Sequence, residues 1–541
     1  MSNKKDRIQQ LIKSGKRDKA VILLEKSCKK KPKDKESWET LGFLYGEMGV
    51  FEKAKECLIK AVNLESNFSG SIRANNGLAS LFIKSKDYTS AIPFYQKSLL
   101  LNNDQANTWF DLAGCFKEEN HINNAVEAYL ESLKIKPQQN VACRILAQLY
   151  EQTHDLINSR IYAELAIQYS KNDIESHFIL AKLDSREKKL DSAITRLEIL
   201  LNGELPLRHR AIILLELGMV QDKLCKYNDS FKSISEGNQL LEKLYTPHRL
   251  ESNVKEYRLE VERYRNALSV DKTIKWRDES LVNKKLNMIF LVGFPRSGTT
   301  LTEQILESHP DIVATHEIPA IPRLSRKIEE YIGRSFDYPA DVSSLNSKDI
   351  NILRDKYMQI MSDNLLDDID ESKYLLDKLP LNIIHIPLIS RVFPEAKILL
   401  ALRDPRDVCL SCFMQNFKVN QAMRQFLTIN DTVNFYHAVM NYFLYCKDEL
   451  EIDVLETRYE SIVEDLEGSA RKLLAFVGVD WDESVLMFYK SAKTRQVHTP
   501  SYQAVTQPIY KGSIGKWKNY GENFKPHLPV LNSLLEEFSY K

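Results

Sequence analysis

The sequence has no long apolar run. Its longest aliphatic or aromatic stretches, Met288 to Val292 and Ile398 to Leu402, are about five residues, against the ~20 that a membrane-spanning helix requires. No transmembrane helix is therefore expected. The opening residues, MSNKKDRIQQ, lack the apolar centre of a secretory signal. Cysteine is scarce: eight in 541 residues, with only Cys409 and Cys412 close together. No second pair and no histidine cluster completes a zinc set, so no metal is expected and the thiols read as reduced, in a cytoplasmic protein. Net charge is nearly absent, 75 basic against 74 acidic side chains, which removes the general electrostatic argument for nucleic-acid binding. The asymmetry that exists is local. Residues 1–35 hold thirteen Lys or Arg and four Asp or Glu, a polar capping face or a basic docking patch. A hydrophobic share of 43% excludes a disordered or collagen-like chain, and the length allows about three or four globular domains.

What is present first is a repeat. A small residue recurs at Ala20, Ala54, Ala91, Ala125, Ser159, Ala193 and Ser230, in steps of 34, 37, 34, 34, 34 and 37 residues. One copy reads Trp38, Leu41, Gly42, Tyr45, Ala54, Leu58 and Ala61; another reads Trp109, Leu112, Ala113, Phe116, Ala125, Tyr129, Ser132 and Pro137. The first four positions put large residues on one face of a helix A, and the later small ones let a helix B approach closely. One hairpin cannot bury its own apolar face, so copies must stack. The pattern resembles the tetratricopeptide repeat. That resemblance implies an all-α superhelix of about seven repeats over residues 1–240, with a concave groove for a substrate or protein partner. Residues 241–285 read as a helical connector, ESNVKEYRLEVERYRNAL, followed by a polar linker.

At Leu286 the texture changes. LNMIFLV suits a buried parallel strand, GFPRSGTT a turn, and LTEQILESH a helix. Strand, Gly- and Ser-containing turn, then helix N-terminus is an anion site, because backbone N–H groups and the helix dipole both favour negative charge. Arg296, Ser297, Thr299 and Thr300 add side-chain donors beside Gly298. Gly293 and Gly298 have the spacing of a nucleotide phosphate loop, but Thr299 stands where its lysine belongs. ATP or GTP hydrolysis is thereby disfavoured, and Arg296 supplies the cation from elsewhere in the loop.

PRSGTTL after a strand resembles the 5′-phosphosulfate loop of sulfotransferases. The resemblance implies an α/β domain with a central parallel sheet over residues 286–541, and 3′-phosphoadenosine 5′-phosphosulfate (PAPS) as sulfate donor, leaving as PAP. The family's 3′-phosphate motif, a strand-end Arg with a Ser eight residues on, is matched by Arg403 and Ser411 in AKILLALRDPRDVCLS. Further segments are similar to the tyrosylprotein sulfotransferases. SHPDIVATHEIPAIPR implies Glu317 as catalytic base, and LLDKLPLN implies Lys378 as stabiliser of the transferring group. RYE implies Tyr459 as a nucleotide contact. SYQAVTQPIYKGSIGKW implies Ser501 as a catalytic serine that also meets the cofactor, and Lys516 as a cofactor contact. The resemblance is incomplete. Ala314 and Leu376 stand where lumenal members carry disulfides, Gln415 where they have a phosphate-binding Arg, and Pro319 where they have an Arg linked to peptide binding.

Sulfuryl transfer is an in-line displacement, so the protein has mainly to position groups and neutralise charge. Glu317, with His316 as the alternative, would take the acceptor's proton. Arg296, Lys378 and Ser501 would meet the charge that develops. The leading reading is a PAPS-dependent sulfotransferase acting on a hydroxyl, a protein tyrosine or a saccharide. The alternative is a repeat scaffold whose transferase domain is inactive or binds nucleotide.

Overall fold

The computed structural model describes residues 2–64, 71–245, 256–268, 275–315, 317–365, 370–489 and 512–540. They form two compact units, Met1–Arg196 and Leu197–Lys541. No helix among the described residues is long and apolar enough to cross a membrane.

The first unit is all helical, from α1 (Ser2–Lys13) onward, and its chain continues through α12 (Leu190–Leu201). All seven small residues of the repeat are fully buried. The paired helices approach closely there: a Cβ on Gly42, opposite Ala54, would lie 2.7 Å from Leu58 and 3.2 Å from the Ala54 carbonyl. Where serine replaces alanine, its hydroxyl must be satisfied, and Ser159 Oγ donates to the Ala147 carbonyl at 2.8 Å. Aspartates cap the helices that follow several turns, as Asp87 and Asp155 accept from the Ser90 and Asn158 amides. Each A–B turn contains one residue in the left-handed region: Gly15, Gly49, Lys86, Asn120, His154, Lys188 and Cys225, with φ from 59° to 78°. Five of these are not glycine, so the turn is imposed by helix packing at a local cost of ~1–2 kcal/mol each. A groove of about 1550 Å³ runs along the stack, lined by Leu99, Trp109, Phe116, Leu130, Tyr162 and Tyr169.

The second unit is built on a five-stranded parallel sheet of β1 (Met288–Gly293), β2 (Ile312–Ala314), β3 (Tyr374–Lys378), β4 (Lys397–Leu402) and β5 (Val454–Arg458), in the order β2-β3-β1-β4-β5. Strand β1 is buried throughout. Alternate residues feed opposite cores, as the pleat requires. Met288, Phe290 and Val292 join Tyr357 and Phe435 on one face; Ile289 and Leu291 join Leu301, Ile305 and Leu473 on the other. Because β3 lies on one side of β1 and β4 on the other, the chain reverses its direction of growth at β1, and a crevice opens outside the carboxyl ends of β1 and β4.

Two boundaries differ from the sequence reading. The repeats were expected to end at residue 240, but α13 (Leu207–Lys223) and α14 (Tyr227–Tyr245) fall in the second compact unit. The reason is burial: Ala211, Leu215, Ile234 and Leu241 belong to its main core. Phe231 packs on Phe413 at 5.1 Å, and Asn238 Nδ2 donates to the Phe413 carbonyl at 3.1 Å. The described parts of 241–285, residues 241–245, 256–268 and 275–285, are likewise no free connector. Helix α15 (Glu256–Ala267) packs on the long helix Ile429–Glu449 through Tyr257 and Phe435, whose rings are 5.6 Å apart. Trp276 is buried, and Arg277 donates to the Pro394 and Ala396 carbonyls.

Candidate active site

The loop Phe294–Gly298 joins β1 to α16 (Thr299–Glu307). It is tightly made. A Cβ on Gly293 would meet the Ala401 carbonyl at 2.8 Å and Ser297 Oγ at 2.9 Å; one on Gly298, at φ +99°, would meet the Tyr459 ring at 3.1 Å. Arg296 adopts φ 70°, a left-handed conformation in a non-glycine residue at the mouth of the crevice, where strain is often tied to function. Its Nε donates to Ser411 Oγ at 3.0 Å, across 115 residues of chain. Cys412 supports the loop through its thiol, which donates to the Pro295 carbonyl at 3.2 Å. Burial pushes the Cys409 and Cys412 thiols upward, so this pair is structural and not nucleophilic. All eight cysteines are free.

Arg403 leaves the carboxyl end of β4 beside this loop. Its guanidinium lies 4.8 Å from the Tyr459 ring centre and donates to the Arg296 carbonyl at 3.3 Å and the Ser513 carbonyl at 2.6 Å. Ser411 sits on the next helix, Pro405–Met414, and Tyr459 opens the short helix after β5. The eight residues Arg296, Ser297, Gly298, Thr299, Thr300, Arg403, Ser411 and Tyr459 thus meet at the ends of β1, β4 and β5. The donor set fits an anion. Ser297 Oγ and Arg403 Nε are buried without a hydrogen-bond partner among the described residues, two donors that a phosphate or sulfate oxygen would satisfy.

A second cluster lies on the β3 side. Lys378, paired in register with Leu291 of β1, ends β3 and is fully buried. Its ammonium lies 2.5 Å from Glu317 Oε1 and 3.1 Å from Glu303 Oε2. Burial works against its charge, but the two carboxylates outweigh burial and hold Lys378 protonated above its ordinary range. Glu317 follows β2, takes φ 62°, and keeps 38% of its side chain exposed. Glu303 lies on α16, 1% exposed, and burial pushes its carboxyl up to about 7 against the pull of Lys378. The cross-strand pair Ala314 and Leu376 is buried beneath this cluster.

Some residues fall elsewhere. Lys516 Nζ is ion-paired with Asp222 Oδ2 of α13 at 2.6 Å, and Tyr520 donates to the other oxygen of that carboxylate at 2.7 Å. Ser501 and His316 lie outside the described residues. Two acids were missed by the sequence reading. One is Glu303, hidden in a helix that reads as ordinary. The other is Asp407, whose carboxylate accepts from the Gly515 and Trp517 amides at 2.7 and 2.8 Å and ties that segment to the Ser411 helix. Its signal was the doubled acid in RDPRD.

Comparison with known proteins agrees with this division. Residues 288–483 match the sulfotransferase family, and residues 35–68, 72–105 and 106–139 match the tetratricopeptide repeat. An uncharacterized protein of Aquifex aeolicus is 28% identical over 355 residues, 64% of this chain and 44% of its own. Protein-tyrosine sulfotransferase 1 of Danio rerio is 27% identical over 207 residues, 38% of this chain and 57% of its own. That of Homo sapiens is 27% identical over 276 residues, 50% and 73% of the two chains. The chain spans about half the length of the first two relatives. Residues 288–483 are therefore a domain of the sulfotransferase family, and tetratricopeptide repeats precede it in the same chain.

Proposed function

We propose that this chain transfers a sulfuryl group from PAPS to a hydroxyl acceptor. The observation that carries the reading is the meeting, at the carboxyl end of one sheet, of an anion cradle with a buried ammonium that contacts an exposed carboxylate. The cradle is Arg296, Ser297, Arg403 and Ser411; the pair is Lys378 and Glu317. Arg403 and Ser411 would hold the 3′-phosphate, and residues 296–300 the 5′-phosphosulfate. Tyr459, whose ring flanks Gly298, would bound the nucleotide. Ser501 and Lys516 are carried into this reading by resemblance alone, and Lys516 would have to leave Asp222 to reach the donor.

In this reaction the acceptor oxygen forms a bond to sulfur while its proton passes to Glu317. The bond between sulfur and the bridging oxygen breaks, and its electron pair leaves on the 5′-phosphate of PAP. Arg296 and Lys378 neutralise the charge that grows on the bridging and sulfuryl oxygens. Glu317 suits the proton because its side chain is the accessible member of its cluster. The relatives named protein-tyrosine sulfotransferase favour a tyrosine of a protein or peptide as acceptor. The repeat groove would then hold that protein or a partner of it. The test is transfer of radiolabelled sulfate from PAPS to tyrosine peptides, glycans and simple phenols by wild type and Glu317→Gln. Label on peptide tyrosine, lowered roughly 10²–10⁴-fold by the substitution, is expected. Label on glycans alone would move the acceptor to a saccharide, and no label on any acceptor would reject the reading.

A further inference from the structure

Glu303 is the one charged residue of the Lys378 cluster that no part of the proposed reaction uses. We propose that Glu303 is a positioning residue: it keeps the buried Lys378 ammonium paired while Glu317 accepts the acceptor's proton. The inference rests on the transfer reading and adds a role to the same site.

The argument is one of charge. Lys378 is fully buried, and an ammonium without water or a carboxylate is strongly destabilised there. Its 2.5 Å contact is with Glu317, the group whose negative charge disappears when it takes a proton. With that carboxylate alone, each proton transfer would leave the ammonium without a carboxylate partner. Glu303 prevents this: its carboxylate lies 3.1 Å away and it is 1% exposed, on the helix that begins at the phosphate loop. One helix therefore presents its N-terminus to the anion and, one turn on, fixes the lysine.

The surroundings of Glu303 are known from each side. β3 supplies Lys378, the loop after β2 supplies Glu317, and α16 itself supplies Glu307, one turn further on, which accepts from Gln304 at 3.1 Å. The helix Leu466–Val477 and the turn Glu483–Met487 pack on the other side with apolar Leu473 and Val485. Within this set Glu303 gives up its proton at about 7. Below that range Lys378 depends on Glu317 alone; above it, Lys378 has both carboxylates. Turnover should therefore rise through a step near pH 7.

The test is Glu303→Gln in the full chain, which keeps shape and removes charge. The wild-type kcat profile should carry a step near pH 7. In Glu303→Gln the step should vanish and kcat above pH 8 should drop roughly tenfold or more, part of the 10²–10⁴ that a positioned base supplies. PAP affinity should stay within about twofold, since the anion cradle is untouched. If Glu303→Gln fails to bind PAP or to melt cooperatively, Glu303→Asp decides: it keeps the charge and should keep the step. Independently, carboxyl-carbon NMR of the wild type should show Glu303 titrating near 7. An unchanged step in Glu303→Gln, or a Glu303 that stays protonated above pH 8, overturns the positioning role while leaving sulfuryl transfer intact. A wild type with no transfer to any acceptor overturns both.

Discussion

Removal of residues 1–240 should unfold the catalytic unit, whereas removal of 1–202 should not. The longer deletion takes α13 and all but the last five residues of α14, and with them Leu215 and Ile234 of the main core and Phe231 against Phe413. Burial of one such side chain is worth ~1.5–3 kcal/mol, so the three together represent ~5–9 kcal/mol. It also strips hydrogen bonds from Tyr520, which meets Ser230 at 3.0 Å and Asp222 at 2.7 Å, and from the Phe413 carbonyl. At ~1 kcal/mol each these add ~3 kcal/mol. The sum is comparable with the whole stability of an ordinary domain, ~5–15 kcal/mol. The shorter deletion leaves both helices in place. Size-exclusion chromatography, thermal melting and PAP calorimetry should find 203–541 monodisperse and binding, and 241–541 aggregated or without a cooperative transition. A soluble 241–541 that binds PAP as tightly as the full chain would show that the helix pair is an accessory and refute the burial argument.

PAP should bind about 30–150-fold more tightly than AMP, because one Arg and one hydroxyl holding a further phosphate are worth ~2–3 kcal/mol; Arg403→Ala, followed by calorimetry, should erase most of that preference. Lys188→Gly should stabilise the repeats by ~0.5–1 kcal/mol, since it relieves a left-handed φ of 61° at the expense of a floppier unfolded chain; a higher urea midpoint would be the sign, and an unchanged or lower one would count against it. Asp377 is fully buried, and burial pushes its carboxyl up to about 7 against the pull of Tyr357 and Lys378. The folded protein thus holds a proton that the unfolded chain has released, and stability falls as pH rises toward and through 7. Asp377→Asn has no such proton, so its melting temperature should gain on that of wild type between pH 5 and 8.

The sequence exposed the parts of the site that are tied to a local pattern. Arg296 sits in a loop whose strand, turn and helix are contiguous, and Arg403 and Ser411 are fixed by a strand end and the helix after it. Their meeting, 3.0 Å between Arg296 and Ser411, follows from two parallel strands lying side by side. Glu303 was not legible, because its burial is decided by β2 and β3 closing over α16, and LTEQILE alone reads as an amphipathic helix with a solvated acid. The ion pair of Lys516 was not legible for a related reason: its partner Asp222 lies 294 residues away, in a helix that the repeat pattern had assigned to another unit. The small residues of the repeat were legible down to Ser230, but register cannot tell what the outer face of the last pair packs against. The left-handed turn residues carried no signal either, since Lys, Asn, His and Cys share no side-chain chemistry.

Those turns have a practical corollary. Each left-handed residue stands five positions before the buried small residue of its own helix B, in all seven pairs. The two 37-residue steps are met differently: the first lengthens the joint between Asn63 and Ile72, the second mainly lengthens helix A itself, since α13 has 17 residues where Lys35–Glu47 and Ala106–Glu118 have 13. The A–B turn is the constant ruler, and length changes fall outside it. A fluorophore, epitope or short peptide should be accepted between Asn63 and Ile72, whereas one inserted at Asn120 or His154 would shift helix B off its partner by a fraction of a turn.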